Sequence, residues 1–261
     1  MKTPKIVFTD IDGTAFYNNK QIVLPSTIDA ISQLRAQGTK IMACTSRSYQ
    51  EMLQMKKEFF DYVDGTIAGT GSIVHIDNKL LKVHTLNQQE TEYIIKLFED
   101  NNIIYRYVTE DQIGYLNQYD EAAVNLFNNL YGFVPDIKKY EGEVVSHMLC
   151  YLTDNNTLYQ TLVENLKYTH ILKLNRAKEI LYQGINKGSS IIETCELLNI
   201  DLDDVAVFGD GHNDIDMFHV VNKSICMGQA HDEVKKHANY VTDRIEDDGF
   251  YNACKHFGWI K

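Results

Sequence analysis

Short apolar runs recur along the chain, and several are stopped abruptly by acidic or hydroxyl-bearing loops. The first, "KIVF" at 5–8, has no polar face, the texture of a strand covered on both sides within a parallel sheet. "LPSTIDAISQLRAQG" predicts a helix, with Pro25 near its start, Ile28, Ile31 and Leu34 on one face, and Gly38 at its end. "KIMAC" predicts a second buried strand and "SYQEMLQMKKEF" a second helix. Strand, helix, strand, helix is the order of a doubly wound sheet. In such sheets the ligand crevice lies beyond the carboxyl ends of the strands. "DIDGT" after the first strand and "TSRS" after the second therefore fall at one rim.

Past "GTIAGTGSIVHIDNKLLKVH", which predicts short strands with an Asp-Asn turn, the pattern changes. From 82 to 183 the segments are amphipathic and tyrosine-rich, as in "QQETEYIIKLFEDNN", "IIYRYVT", "DEAAVNLFNNLYG" and "EILYQG". Alternation in "IYRYV" and "ILKLN" predicts an antiparallel sheet with one covered face. A helix then begins at "NKGSSIIETCELLNI", and "VAVFGDGHND" resumes the buried strand followed by an acidic loop. The expected architecture is α/β: a doubly wound, Rossmann-like parallel core over 1–81 and 184–261, interrupted by an α+β insertion over 82–183.

Composition narrows what such a fold does. At 261 residues and 44% hydrophobic, the chain can bury a full core. A formal net charge of -11 argues against binding nucleic acid through its phosphate backbone, for which a basic excess is needed. The five cysteines (Cys44, Cys150, Cys195, Cys226 and Cys254) are odd in number and never spaced CxxC, so reduced core thiols are expected. "MKTPKIVFTD" has too short an apolar run for a signal peptide, and no apolar segment reaches membrane-spanning length. A cytoplasmic protein with no membrane partner is the expectation.

Asp10 and Asp12 place two like charges one residue apart, and each tends to raise the other's pKa. A cation is the obvious relief. Thr45 and Ser46, Lys187, and the loop "GDGHND" supply further polar groups after or near strands of the same sheet. These types suit phosphoryl transfer to a carboxylate, which needs a nucleophilic aspartate, a cation, and donors around the phosphoryl oxygens. A proton donor for the leaving alkoxide is also needed. Asp10 would attack, and Asp12 would protonate the leaving group and later activate water. Asp210, Asp10 and the backbone carbonyl of Asp12 could complete an octahedral Mg2+ site with waters.

At these residues the chain resembles the haloacid dehalogenase superfamily, and within it the Cof-type phosphatases. That family's Asp-x-Asp-Gly-Thr is matched by "DIDGT", which implies Asp10 as nucleophile and Asp12 as general acid/base with its carbonyl on magnesium. The usual Thr-Gly-Arg stands here as "TSR": Thr45 takes the phosphate-binding hydroxyl role, Ser46 replaces glycine, and Arg47 is kept. Lys187 in "GINKG" matches the family's lysine. "GDGHND" implies Asp210 on the metal, Asn213 at the phosphate, and Asp214 in the metal's support. Gln229 departs from a usual asparagine, and Ala15 from a leucine. The insertion resembles the family's larger cap type, which closes over the site. A magnesium-dependent phosphomonoesterase acting on a small phosphorylated metabolite, with sugar phosphates first and pyridoxal phosphate or flavin mononucleotide next, is what the resemblance implies.

Blander roles compete for several residues. Thr45 or Ser46 could simply cap the helix that begins near Ser48, and Lys187 could be a surface lysine. His212 sits where the family varies, and a hard cation prefers oxygen, so no catalytic or ligand role is expected of it. Tyr105, Tyr107 and Tyr182 are expected to pack. Glu179 matches a frequent family glutamate, with a strand-edge charge as the rival reading. Two other functions use similar residues: a phosphosugar mutase built on the same aspartyl-phosphate, and a phospho-accepting signalling module. The latter has an adjacent acidic pair and is about half this length.

Overall fold

A computed structural model describes residues 2–55, 60–77, 79–150, 157–173 and 177–261. In chain order the strands are β1 (Ile6–Thr9), β2 (Phe16–Tyr17), β3 (Ile22–Val23), β4 (Lys40–Cys44), β5 (Gly65–Ala68), β6 (Ile73–Ile76), β7 (Lys79–Val83) and β8 (Tyr105–Thr109). They continue as β9 (Gly114–Leu116), β10 (Asp136–Ile137), β11 (Val145–Cys150), β12 (Thr169–Lys173), β13 (Lys178–Tyr182), β14 (Val205–Gly209), β15 (Ser224–Cys226) and β16 (Tyr240–Val241). The helices are α1 (Pro25–Ala36), α2 (Tyr49–Leu53), α3 (Gln88–Asp100), α4 (Glu121–Tyr131), α5 (Thr157–Asn165), α6 (Lys187–Leu198), α7 (Ile215–His219), α8 (Asp232–Lys235) and α9 (Gly249–His256). The chain separates into two compact units: 1–46, 56–81 and 186–261 form one, and 47–55 with 82–185 the other.

The first unit holds an eight-stranded sheet in the order β16-β15-β14-β1-β4-β5-β6-β7. The six strands from β16 to β5 run parallel, and β6 turns back against β5. Every residue of β1 is buried, as expected of a central parallel strand. On one face Ile6, Phe8, Met42 and Val207 pack with Ile191 and Cys195 of α6 and with Met217 and Phe218 of α7. On the other, Val7, Ile41 and Phe208 pack with Ile31 and Leu34 of α1 and with Phe250 and Ala253 of α9. Helices thus cover both faces, which is the doubly wound arrangement expected from the alternating pattern. Pro25 opens α1 where its missing N–H is no loss, and the chain turns out at Gly38 with φ +87°. The five cysteines are all free and buried.

The second unit has a six-stranded sheet ordered β10-β9-β8-β11-β13-β12, antiparallel except where β10 joins β9. Its main core joins Ile94 and Phe98 of α3, Tyr105, Tyr107, Met148 and Leu162. Tyr105 and Tyr107 are fully buried among Phe98, Tyr115 and Tyr140, so they do pack. The expected single covered face does not describe β8, which is buried at all five positions. The polar alternate in "YRYVT" is Arg106, whose guanidinium lies 3.1 Å from Glu51 of α2, both side chains almost wholly buried. Ser48 opens α2 with a capping box: its hydroxyl accepts from Glu51 N–H while the Glu51 carboxylate accepts from Ser48 N–H. Sequence extends this helix to Phe59; the described helix ends at Leu53, and 56–59 lie outside the described residues.

Candidate active site

Three neighbouring parallel strands deliver the chemistry to one rim. In the register of the sheet Thr9 pairs with both Phe208 and Ala43, so β1, β14 and β4 end nearly level. The next residues out are Asp10, Asp210 and Thr45, and the Asp10 N–H donates to the Phe208 carbonyl at 2.8 Å. The turn after Asp12 needs glycine on two counts. Gly13 has φ +85°, and a Cβ there would collide with the Asp210 carboxylate. Thr14 uses the resulting proximity, donating its hydroxyl to Asp210 Oδ1 at 3.1 Å.

At the centre stands Lys187, the first residue of α6 and wholly buried. Its Nζ donates to Asp10 Oδ1 at 2.7 Å and to Asp214 Oδ1 at 2.6 Å. Asp214 Oδ2 in turn accepts from the backbone N–H groups of Asp210 and Gly211, both at 2.8 Å, which folds the loop back on itself. Carboxylate oxygens of Asp10, Asp210 and Asp214 lie within 4.8 Å of one another. Three carboxyl groups therefore share one ammonium, a formal surplus of two negative charges when all are ionised. Burial pushes the Asp10 carboxyl well up, Lys187 opposes that, and the neighbouring aspartates reinforce it. Burial, reinforced by Asp214, pushes Asp210 up to about 7. For Lys187 burial works against the charged form, and the charges of Asp10 and Asp214 more than restore it. A buried surplus of carboxylate oxygens, with no soft ligand among them, is what a hard divalent cation fits.

The hydroxyl and amide donors gather beside this cluster. Ser46 Oγ accepts from Asn213 Nδ2 at 2.7 Å and from Thr70 Oγ1 at 2.8 Å. Thr45 is buried, its N–H bonded to the Ile67 carbonyl at 2.8 Å and its own carbonyl accepting from Thr70 N–H at 3.0 Å. Ser48, not Thr45 or Ser46, caps the following helix. Asp12 is half-buried, and its Oδ1 accepts from Asn18 Nδ2 at 2.6 Å. Asn18 follows β2 in a small hairpin that sequence reading passed over; an amide six residues past the aspartate pair was the available signal. Thr14, Thr70 and Gln229 were missed as partners too. Gln229 donates to the Gly13 carbonyl and accepts from Ile245 N–H, tying the first turn to the segment after β16.

His212 is exposed, 4.0 Å from Glu233 and facing the His231 ring, with no bond to the aspartate cluster among the described contacts. Tyr182 and Glu179 belong to β13 in the second unit, Tyr182 partly exposed and Glu179 buried. Cys44, at the end of β4, is buried and its thiol is pushed up to about 12. It is an inert core residue beside the charges.

Similarity to known proteins runs over nearly the whole chain. Residues 7–254 match the model of the haloacid dehalogenase-like hydrolase family. The chain belongs to that family, and it is an enzyme of the phosphatase kind. YkrA of Bacillus subtilis, which bears a phosphatase name, is 26% identical over 98% of this chain and 99% of its own. The 5-amino-6-(5-phospho-D-ribitylamino)uracil phosphatase YwtE, also of Bacillus subtilis, is 24% identical over 94% of this chain and 95% of its own. Among solved structures, the haloacid dehalogenase subclass IIB sugar phosphatase BT4131 superimposes with a TM-score of 0.90 at 27% identity, covering 98% of this chain and 100% of the other. No helix among the described residues is long and apolar enough to cross a membrane.

Proposed function

We propose that the protein is a magnesium-dependent phosphomonoesterase that hydrolyses small phosphorylated metabolites, sugar phosphates first, through an aspartyl-phosphate on Asp10. The observation that carries this reading is the buried cluster in which Lys187 faces three carboxylates, next to the donor pair Ser46 and Asn213. The sugar-phosphate preference leans on the likeness to a subclass IIB sugar phosphatase. The phosphorylated ribitylaminouracil named for YwtE comes second.

The residues divide the work. Lys187 occupies Asp10 Oδ1, which leaves Oδ2 to attack phosphorus while the ester P–O bond breaks. Asp12, steadied by Asn18, gives its proton to the departing alkoxide, then removes one from the water that cleaves the acyl phosphate. Thr45, Ser46, Asn213 and Lys187 hold the phosphoryl oxygens. Asp10, Asp210 and the Asp12 carbonyl would hold magnesium, with Asp214 shaping the loop around it. Bound there, the ion supplies the positive charge that lets a phosphate dianion approach a carboxylate.

The test is inorganic phosphate release from a panel of phosphorylated sugars and 5-amino-6-(5-phospho-D-ribitylamino)uracil. Release is expected with Mg2+, is lost on chelation, and returns on adding the metal back. Asp10→Asn is expected to lower turnover by on the order of 10⁴-fold or more. Undiminished release from Asp10→Asn, or in excess chelator, would sink the proposal. Isomerised sugar phosphate without free phosphate would instead identify a mutase.

A further inference from the structure

Between β5 and β6 the chain makes an unusual turn at Gly69, Thr70 and Gly71, whose φ angles are +53°, +50° and +111°. Glycine enters this region freely, whereas a β-branched side chain rarely does. Thr70 holds that conformation while wholly buried. Strain of this kind persists only where surrounding contacts over-determine it, and such residues gather at functional sites.

Contacts at this turn lead toward the proposed phosphate site. Thr70 N–H donates to the Thr45 carbonyl at 3.0 Å, and Thr70 Oγ1 donates to Ser46 Oγ at 2.8 Å. The Gly71 carbonyl accepts from Ser190 Oγ at 2.7 Å, on the helix that begins with Lys187. A Cβ on Gly71 would come within 2.5 Å of the Asn186 carbonyl, so the turn also lies against the start of that helix.

Ser46 has two lone pairs and one proton to share. Thr70 Oγ1 and Asn213 Nδ2 both donate to its oxygen, so its acceptor capacity is filled. Its proton is left to donate elsewhere, and Ser46 is half-buried, open to an incoming ligand. A glycine here would offer no such donor.

We propose that Thr70 is a positioning residue: with Asn213 it fixes the Ser46 hydroxyl as a hydrogen-bond donor to a phosphoryl oxygen. The strained turn is retained because relaxing it would withdraw the Thr70 hydroxyl. The proposal rests on the phosphatase reading above, since it assumes that phosphate enters beside Ser46.

Binding of inorganic phosphate in Mg2+ buffer, measured by calorimetry, tests the idea, alongside KM and kcat for p-nitrophenyl phosphate. Thr70→Val keeps the shape and removes the hydroxyl, and it is expected to weaken phosphate binding by about tenfold, the scale of one well-made hydrogen bond. Thr70→Ser keeps the hydroxyl and is expected to bind within about twofold of wild type. In a Ser46→Gly background Thr70→Val should change nothing further, because its route to the ligand is gone. Should Thr70→Val fail to fold, Thr70→Gly relieves the left-handed strain, and it should fold while losing the same phosphate affinity.

Unchanged phosphate affinity in Thr70→Val or Thr70→Gly overturns the proposal. So does an equal loss in the Ser46→Gly background, or a Thr70→Ser variant as weak as Thr70→Val. If wild type releases phosphate normally while these couplings are absent, only this inference falls. If wild type neither binds nor releases phosphate, the phosphatase reading falls with it.

Discussion

Both units bury charge, but they balance it differently. In the second unit Arg106 meets Glu51 one to one, capped into place by Ser48, and the pair is neutral as a whole. In the first, Lys187 meets Asp10 and Asp214 directly, with Asp210 close by, so three carboxyl groups share one ammonium. A balanced buried pair needs nothing more from solution, so its work is structural. A surplus invites a counter-ion, and with it chemistry. Burial alone therefore does not mark a functional charge; the sign and size of what is left over does.

Removing one charge should have opposite consequences in the two places. Arg106→Met leaves Glu51 buried and unpaired, and a loss of about 3–5 kcal/mol in unfolding free energy is expected. Chemical denaturation measures it, and adding Glu51→Leu should recover most of the loss. If the single variant costs less than about 1 kcal/mol, the pair is not the buried, dry contact described.

In the first unit the surplus makes the sign reverse. Magnesium at a hundred times its dissociation constant should stabilise the wild type by about 2.7 kcal/mol. Asp210→Asn should lose that response and melt no lower than wild type in chelator, because repulsion has been relieved while Thr14 keeps an oxygen to bond. A metal response that survives Asp210→Asn would place the ion elsewhere.

The smallest effect concerns His147, buried beside Arg106 in the second unit. Burial, helped by the guanidinium charge, pulls its imidazole down to about 3. The unfolded chain binds a proton at this residue near pH 6.5 and the folded one does not. Stability is therefore expected to fall as pH drops below about 6.5, by up to about 1.4 kcal/mol per pH unit until the folded imidazole itself titrates. His147→Gln should flatten that slope by one proton. Denaturation midpoints between pH 7 and 5 decide it, and equal slopes in both proteins would mean His147 is hydrated when folded.

Much of the site was legible because parallel strands impose a common rim. A run such as "KIVF" or "VAVF" that ends in acid places that acid at the carboxyl edge, wherever the strand falls in the sheet. Asp10, Thr45, Asp210 and Asp214 followed from that reasoning. The partners of these residues did not. Thr70 sat in "AGTGS", a glycine-flanked stretch after a buried strand, and its left-handed backbone leaves no hydrophobic period to detect. Arg106 was concealed for the opposite reason: in "YRYVT" an alternating arginine has the pattern of a solvated face, and only a glutamate 55 residues earlier makes burial tolerable.

By itself, then, the sequence determined the main alternation of strands and helices, the rim at which acids and hydroxyls collect, and the residues that match the family's motifs. Periodicity and turn chemistry act over a few residues, and a parallel sheet converts them directly into position. Only the tertiary structure decided that Lys187 is wholly buried between Asp10 and Asp214, that Asn18 and Gln229 brace the first turn, and that a strained Thr70 grips Ser46. Those bonds join groups far apart along the chain or depend on a backbone conformation that composition does not announce. Whether a buried charge is balanced or left over is settled by such contacts alone.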